Sequence, residues 1–252
     1  MKNNNKIFLS PSKTDLYITK VIRAKYSDLE ESKKNILSKL NLNNKKILDV
    51  GCASGDFYSV LKKKYKNINY HGIDLDEKCI QFAKKKFGNN ARFDKLDIFS
   101  KKLTNKYDVV MIWNLFYMIP NWRKFLIRCS KLSKKYIIFD NKIRLSGPTI
   151  IDLDLSYQYY HKSNKRNYYI VHNIHELIAF LQIHELNINK ISINGYKLPG
   201  PTSARLPLDK KEVYVGGIVL QKYDQNSKIN RYGVTFDSAK TSWVKITTNL
   251  IK

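Results

Sequence analysis

Short apolar runs alternate with amphipathic stretches from residue 45 to residue 141. The apolar runs predict five strands, at 45–50, 68–75, 91–98, 107–113 and 135–140. The stretches between them have helical periodicity, near 55–65, 76–87 and 121–133. Strands separated by ten or more residues of helical pattern are typical of βαβ units. The pattern therefore predicts an α/β fold, with helices on both faces of a mostly parallel sheet.

Two more strand-like runs, 189–197 and 212–222, follow a helix predicted near 173–186. A Pro/Gly-rich segment at 198–209 joins them without helical pattern, so we expect a terminal antiparallel hairpin. Residues 12–42 precede the first strand and also carry helical periodicity. They predict a helical cap that folds over the upper rim of the sheet.

These patterns divide the chain into three parts. Residues 1–43 form the N-terminal helical cap, and residues 44–223 form the main domain with a lid insertion at 142–175. Residues 224–252 are a polar C-terminal extension, in which 242–247 is a possible strand.

Composition places the chain among globular proteins, since 43% of its 252 residues are hydrophobic. No run approaches the ~18 apolar residues of a transmembrane helix, and the apolar island at 7–9 is too short for a signal peptide. We therefore expect a cytoplasmic protein that does not bind membranes. The three cysteines, Cys52, Cys79 and Cys129, are far apart and odd in number, which favours reduced, buried thiols.

The formal net charge of +25 is, taken alone, typical of nucleic-acid-binding proteins. Only eight of the 46 basic residues are arginine, however, and Asn and Ile are also abundant. AT-rich codons produce this bias, whereas proteins that read nucleic acids depend on Arg for bidentate contacts. The charge favours a lysine-rich surface over a nucleic-acid footprint, and it is compatible with an anionic small substrate.

The stretch "ILDVGCASGDF" combines the end of the first strand with a glycine turn. Gly51, Ala53 and Asp56 occupy the positions of the nicotinamide-dinucleotide fingerprint GxGxxG, and two of the three are not glycine, which disfavours NAD. Asp74 ends the second strand and is placed to accept the two ribose hydroxyls of an adenosine. Asp97 ends the third strand, where it can receive an adenine amino group.

Four segments in series resemble the class I S-adenosylmethionine-dependent methyltransferases. They are "DVGCASG", "GIDLDEKCIQFAKKK", "LDIF" and "WNLFYMIPNW". The resemblance covers about residues 45–223 and implies a Rossmann-like, seven-stranded sheet whose last strand is antiparallel. It also implies S-adenosyl-L-methionine as cofactor and S-adenosyl-L-homocysteine as product.

The resemblance further implies a set of cofactor-binding residues. They are Asp49, Gly51, Cys52, Ala53, Ser54, Gly55, Asp74, Leu75, Leu96, Asp97, Ile98 and Asn114. Ala53 replaces the usual middle glycine, and we expect its backbone to be ordinary β-region. As alternatives, Asp49 could pair with a nearby lysine, and Asp97 could be a helix N-cap.

Asp140 and Asn141 match the magnesium ligands that end the fifth strand in catechol-type O-methyltransferases. Those enzymes also have an Asp after the fourth strand, where this chain has Trp113 and Asn114. Two ligands without the third carboxylate make a poor cage for a hard cation, so we predict no metal.

The segment 155–169 holds five tyrosines, one histidine and several basic residues, and it follows the fifth strand. We interpret it as an aromatic and basic lid; the alternative is an exposed amphipathic helix. His161 is the candidate general base, although most isolated histidines are not catalytic. The loop 195–207 should reach the same rim. The residues predicted to bind substrate are Tyr117, Tyr159, Tyr160, Tyr196 and Arg205.

The sequence therefore predicts methyl transfer to an oxygen or nitrogen of a small, anionic metabolite, of a phosphorylated, carboxylated or sugar-nucleotide type, by a monomer or homodimer. The absence of NPPY or DPPY after the fourth strand counts against methylation of exocyclic amino groups. Two alternatives stay open: an RNA (tRNA or rRNA) methyltransferase, and a catalytically silent subunit with the same fold.

Overall fold

The computed structural model describes residues 25–159, 165–184, 186–198, 204–205, 213–222, 235–237 and 243–249. For 204–205, 235–237 and 243–249 it describes the backbone only. Tyr160, His161 and most of the predicted cap at 1–43 thus lie outside the described residues.

The described residues form strands and helices that are numbered here along the chain. The strands are β1 (Lys46–Val50), β2 (Asn69–Asp74), β3 (Arg92–Lys95), β4 (Tyr107–Ile112), β5 (Ser133–Arg144), β6 (Tyr157–Tyr159), β7 (Arg166–Tyr168), β8 (Val171–Asn173), β9 (Ile188–Lys197), β10 (Ala204–Arg205), β11 (Tyr214–Lys222), β12 (Thr235–Asp237) and β13 (Trp243–Asn249). The helices are α1 (Glu31–Lys39), α2 (Asp56–Lys64), α3 (Glu77–Phe87), α4 (Trp122–Leu132) and α5 (Ile174–Ile183). Short 3-10 turns lie at Tyr26–Asp28, Gly88–Asn90 and Phe116–Met118.

The main sheet has the strand order β12-β13-β9-β11-β5-β4-β1-β2-β3, and β8 also pairs with β5. Strands β1 to β5 are mutually parallel, and β11 is antiparallel to both β5 and β9. The predicted α/β architecture and the predicted antiparallel pairing of β9 with β11 are therefore confirmed. The hairpin is not terminal, however, because β13 in the C-terminal extension pairs with β9.

Helices cover both faces of the sheet, as predicted. Along β4, Val109 and Met111 face α1, α2 and α3, whereas Val110 and Ile112 face α4 and α5. Strands that are buried on both faces have continuous apolar runs, which is why their positions were predictable. None of the helices in the described residues is long and apolar enough to cross a membrane.

The described part of the predicted cap begins at residue 25. It consists of the 3-10 turn at Tyr26–Asp28 and of α1, which packs against β11. Gly217 on β11 allows this close approach. A Cβ atom there would lie 2.8 Å from Ile36 Cδ1 and 2.9 Å from the Ser32 carbonyl oxygen.

The lid segment forms β-structure, and the alternative of an amphipathic helix is wrong for its described residues. Strands β6 and β7 pair antiparallel, and β10 adds to β6, with Arg205 opposite Tyr157. The tyrosines at 157 and 159 alternate with polar residues at a period of two, as in a strand, and their rings are 5.3 Å apart. The Pro/Gly-rich loop after β9 thus reaches the lid.

Candidate functional site

A cavity of about 520 Å³ lies at the carboxyl ends of β1, β2 and β4, beneath the lid. Ligands of open parallel sheets bind at this edge. Ten of the predicted cofactor residues line the cavity: Asp49, Gly51, Cys52, Ala53, Asp74, Leu75, Leu96, Asp97, Ile98 and Asn114. Ser54 and Gly55 lie behind the wall, where the Ser54 hydroxyl is 3.6 Å from Cys79 Sγ.

The glycine turn between β1 and α2 is held against the end of β2. The N–H groups of Gly51 and Cys52 donate to the Ile73 carbonyl oxygen at 2.8 and 3.1 Å. Gly51 has φ +77°, and a Cβ there would lie 2.7 Å from Leu115 Cδ2. Glycine occupies position 51 because a residue with a Cβ atom would be strained in this conformation.

Ala53 corrects one of our expectations. Its φ is +46°, in the left-handed region rather than the β-region. The Ala53 N–H donates to Asp74 Oδ2 at 2.8 Å, which fixes the turn in this conformation. An alanine in this region costs about 1–2 kcal/mol, and the hydrogen bond to a carboxylate offsets that cost.

Asp74 supports the turn on both sides. Its other oxygen, Oδ1, accepts the Asp76 N–H at 2.9 Å. Burial raises the pKa of Asp74, while the N–H donors of Asp76 and Ala53 counteract that shift. The Leu75 N–H also acts on this carboxylate, which accepts about four hydrogen bonds in all and so keeps acceptor capacity for a ligand.

Asp49 is buried at the floor of the cavity, and the Tyr70 hydroxyl donates a hydrogen bond to it. Burial raises the pKa of Asp49 to about 7, and the charges of Asp56 and Asp74 act in the same direction, whereas the Tyr70 hydrogen bond lowers it. Pairing with a lysine, the alternative considered for Asp49, does not occur among its described contacts. A cationic ligand group beside Asp49 would favour its ionised form.

Asp97 also lines the cavity. Its Oδ1 accepts the Phe99 N–H at 2.9 Å, so it stabilises a turn and does not cap a helix. Leu75 and Phe99 are 41% and 52% exposed, and both line the cavity. Two exposed apolar side chains beside an acid form a surface that suits a flat nitrogenous ring. Phe99 was not among the predicted residues, although it ends the motif "LDIF".

The lid supplies further cavity residues that the sequence did not identify. Leu153, Lys165, Arg166, Asn167 and Tyr168 line the cavity together with the rim of the sheet. They are far along the chain from the glycine turn, and no local pattern shows which side chains of a lid face inward.

The predicted substrate residues lie in several places. Tyr117 is buried and does not line the cavity: its ring packs 5.2 Å from that of Tyr169 and lies 4.9 Å from the Lys142 ammonium. Tyr196 is half-buried, and burial raises its pKa to about 12. Tyr159 is in β6, and the backbone of Arg205 pairs with β6.

Asp140 and Asn141 are fully buried. Asp140 Oδ1 accepts the Asn114 N–H at 2.5 Å, and Oδ2 faces Lys33 Nζ at 3.9 Å. One carboxylate oxygen thus accepts a hydrogen bond, whereas Oδ2 forms an ion pair with Lys33 and has no hydrogen-bond partner among the described residues. Buried Trp113 occupies the place of a third acid. The described residues contain no group of three His, Cys, Asp or Glu residues suited to a metal ion.

The three cysteines are free and buried, as predicted. Burial raises the pKa of Cys52 well above its usual value and that of Cys79 to about 12. Both remain protonated thiols at neutral pH, so neither is an activated nucleophile.

Comparison with known proteins agrees with this geometry. A family described as methyltransferase domain matches residues 41–176. The putative methyltransferase 235L of Invertebrate iridescent virus 6 is 32% identical over 99 residues, which are 38% of this chain and 36% of the relative. The malonyl-[acyl-carrier protein] O-methyltransferase of Acetivibrio thermocellus is 32% identical over 91 residues, 34% of this chain and 32% of the relative. The chain thus spans about a third of the length of these relatives.

Solved structures share the fold at low identity. The O-methyltransferase of a trans-AT PKS multienzyme from Brevibacillus brevis, in complex with S-adenosyl-L-homocysteine, has a TM-score of 0.55 at 14% identity and covers 82% of this chain and 71% of its own. The N-terminal domain of EvdMO1, with SAH bound, has a TM-score of 0.55 at 13% identity, with 78% and 82% covered. These likenesses show the fold alone.

The family match covers more than half of the 252 residues and includes the glycine turn, Asp74, Asp97 and the segment after β4. The chain therefore belongs to the family described as methyltransferase domain.

Proposed function

We propose that this chain transfers the methyl group of S-adenosyl-L-methionine to an oxygen or nitrogen of a small, anionic metabolite. The observation that supports this most is the charge of the cavity wall. Four acids line it, namely Asp49, Asp56, Asp74 and Asp97, and so do two cations of the lid, Lys165 and Arg166. A cationic donor and an anionic acceptor would each find opposite charge within one cavity.

The adenosine end of the cofactor fits the Asp74 side of the cavity. The remaining acceptor capacity of Asp74 suits a ribose hydroxyl. The exposed side chains of Leu75 and Phe99 would flank the adenine, and Asp97 would accept its amino group. Burial of the two apolar side chains by the ring would add a hydrophobic contribution to affinity.

The sulfonium end fits the floor of the cavity. Asp49 and Asp56 provide negative charge there, and they lie on either side of the glycine turn. When bound, the cofactor supplies an activated methyl group. The protein then has to align an acceptor lone pair behind that methyl group and exclude water, because the donor needs little other activation.

The acceptor would enter under the lid. Arg166 has its guanidinium 2.9 Å from Asp154 Oδ1 and 4.4 Å from the centre of the Tyr157 ring, and it also forms a hydrogen bond with Tyr159. A guanidinium binds carboxylates and phosphates with two parallel hydrogen bonds. A general base such as His161 is needed only for a hydroxyl or a protonated amine acceptor.

An RNA substrate is the rival function, and two clusters of lysines would offer RNA a binding surface. The last turns of α2 and α3 each contain three consecutive lysines, at 62–64 and 84–86. Burial and the charges of Lys62 and Lys63 lower the pKa of Lys86, as expected where like charges cluster. In a βαβ unit the helix ends at the edge of the sheet opposite the carboxyl ends of the strands. RNA bound there would lie away from the cavity, which supports the small-molecule proposal.

The proposal is tested by binding first and transfer second. Isothermal titration with S-adenosylhomocysteine should show binding; its absence would contradict the proposal and favour a catalytically silent subunit. Transfer of labelled methyl groups from S-adenosylmethionine is then measured on phosphorylated, carboxylated and sugar-nucleotide metabolites, and separately on bulk tRNA and rRNA. We expect label in an anionic metabolite. Label in RNA alone would replace the proposal with its rival.

A further inference from the structure

Lys33 connects the cap helix to the rim of the cavity. It lies on α1 and is only 4% exposed, which is unusual for a lysine. Its ammonium is 3.1 Å from Glu30 Oε2 and 3.1 Å from Asn114 Oδ1, and it is 3.9 Å from Asp140 Oδ2. Lys33 and Asn114 are 81 positions apart, so the contact joins two distant parts of the chain.

Asn114 is held at both its backbone and its side chain. Its φ of +53° is in the left-handed region, which Asn tolerates better than most residues. Its N–H donates to Asp140 Oδ1 at 2.5 Å. Burial of Lys33 lowers its pKa, but the charges of Asp140 and Glu30 outweigh this, so its pKa is raised. Lys33 therefore stays a cation at neutral pH.

The orientation of the Asn114 amide follows from donor and acceptor chemistry. An ammonium group can only donate hydrogen bonds, so the carbonyl oxygen of the amide must face Lys33. The NH₂ group then points the other way. It makes no hydrogen bond with any residue that the structure describes, and Asn114 lines the cavity. Asn114 is exposed, so this donor is accessible to a ligand and has no partner among those residues.

The position of this donor indicates its ligand. The residue after Asn114, Leu115, lies against Gly51 of the glycine turn, and Asp74, Leu75 and Phe99 form the nucleoside side of the cavity. Asn114 is therefore beside the amino-acid end of the proposed cofactor. Acids dominate the floor, so the cofactor carboxylate needs a donor on another part of the wall.

We propose that Lys33 is a positioning residue: it holds the Asn114 amide so that its NH₂ group donates to the carboxylate of the bound cofactor. This inference rests on the proposed function. Through Lys33 and Asn114, docking of the cap helix and binding of the cofactor stabilise each other, since Lys33 can orient Asn114 only while α1 is docked on the sheet.

Titration with two probes tests the proposal. S-Adenosylhomocysteine has the amino-acid end, whereas 5′-methylthioadenosine has the same nucleoside and thioether without it. Lys33→Met should weaken binding of S-adenosylhomocysteine roughly 10- to 100-fold, because a hydrogen bond to a charged group is lost, and should change 5′-methylthioadenosine binding little. Lys34→Met is the matched control, because Lys34 pairs with Glu31 in the same i,i+3 arrangement at 3.7 Å but is more exposed.

Two further variants separate positioning from a structural role. Lys33→Arg keeps a donor and should restore most of the affinity. Asn114→Ala should reproduce the loss for S-adenosylhomocysteine, and Lys33→Met combined with it should add little. Equal losses for both probes, or no loss in Lys33→Met, would overturn the inference. A wild-type chain that binds neither probe would instead overturn the proposed function, and this inference with it.

Discussion

At the scale of single residues, Ala53 shows where local strain is stored. Its left-handed backbone, with φ +46°, is stabilised by the hydrogen bond to Asp74. We expect Ala53→Gly to stabilise the fold by about 0.5–1 kcal/mol, because glycine adopts this region without a Cβ penalty. Denaturant unfolding measures the change. Ala91→Gly is the control: Ala91 has φ −156°, so glycine should destabilise there, and a stabilised Ala91 variant would contradict the explanation.

The raised pKa of Asp49 predicts how the affinity for the cofactor depends on pH. Burial raises its pKa to about 7, so the carboxyl group is largely protonated below that pH in the free protein. A cationic cofactor binds better to the carboxylate. Affinity for S-adenosylmethionine should therefore rise between pH 6 and pH 8, by up to about tenfold for each unit below the pKa.

The measurement is isothermal titration at several pH values, with Asp49→Asn beside the wild type. Asparagine can still accept the Tyr70 hydrogen bond but does not titrate in this range. The variant should bind more weakly at pH 8 and show a flatter profile. Parallel profiles for the two proteins would mean that another group carries the pH dependence.

At the scale of elements, the docking of α1 on the sheet depends on one small residue. A Cβ atom added at position 217 would lie within 2.9 Å of both Ile36 Cδ1 and the Ser32 carbonyl oxygen. We expect Gly217→Ala to destabilise the protein by about 1–3 kcal/mol, since overpacking displaces a backbone group. Thermal unfolding tests this.

Gly216→Ala is the matched control for that substitution. Its Cβ would lie 3.0 Å from Ile143 Cδ1, the flexible end of a side chain that can move. Its cost should be smaller. If the two variants lose equal stability, the loss is caused by changing β11 in general and not by disturbing the contact between α1 and β11.

Elements buried on both faces were predictable to within a few residues, because a continuous apolar run such as 107–113 is stable only at the centre of the sheet.

Other features of the structure had no local pattern in the sequence. The conformation of Ala53 depends on Asp74, 21 positions away, and the place of Lys33 depends on α1 meeting β5. Tyr117, predicted to bind substrate, is buried against the Tyr169 ring and does not line the cavity. The lid shows the same limit, because its strand β6 pairs with β10 from a distant loop.

At the scale of the whole molecule, the charge of +25 predicts behaviour toward RNA. If the lysines are a surface bias, affinity for random RNA should be weak at ~150 mM salt and should fall steeply as salt rises. Binding should also be insensitive to RNA structure. Filter binding with random RNA and with folded tRNA measures whether affinity depends on RNA structure. Tight binding selective for tRNA at that salt concentration would contradict this and favour an RNA substrate.

The placement of β11 between β5 and β9 has a consequence for synthesis of the chain. Strand β9 pairs with β11 and β13, both of which leave the ribosome after it. From Lys197 at the end of β9 to Lys222 at the end of β11, translation at roughly 5–20 residues per second takes on the order of seconds. During that interval the nascent β9 exposes apolar side chains and an unpaired edge, the condition under which chaperones bind and chains aggregate.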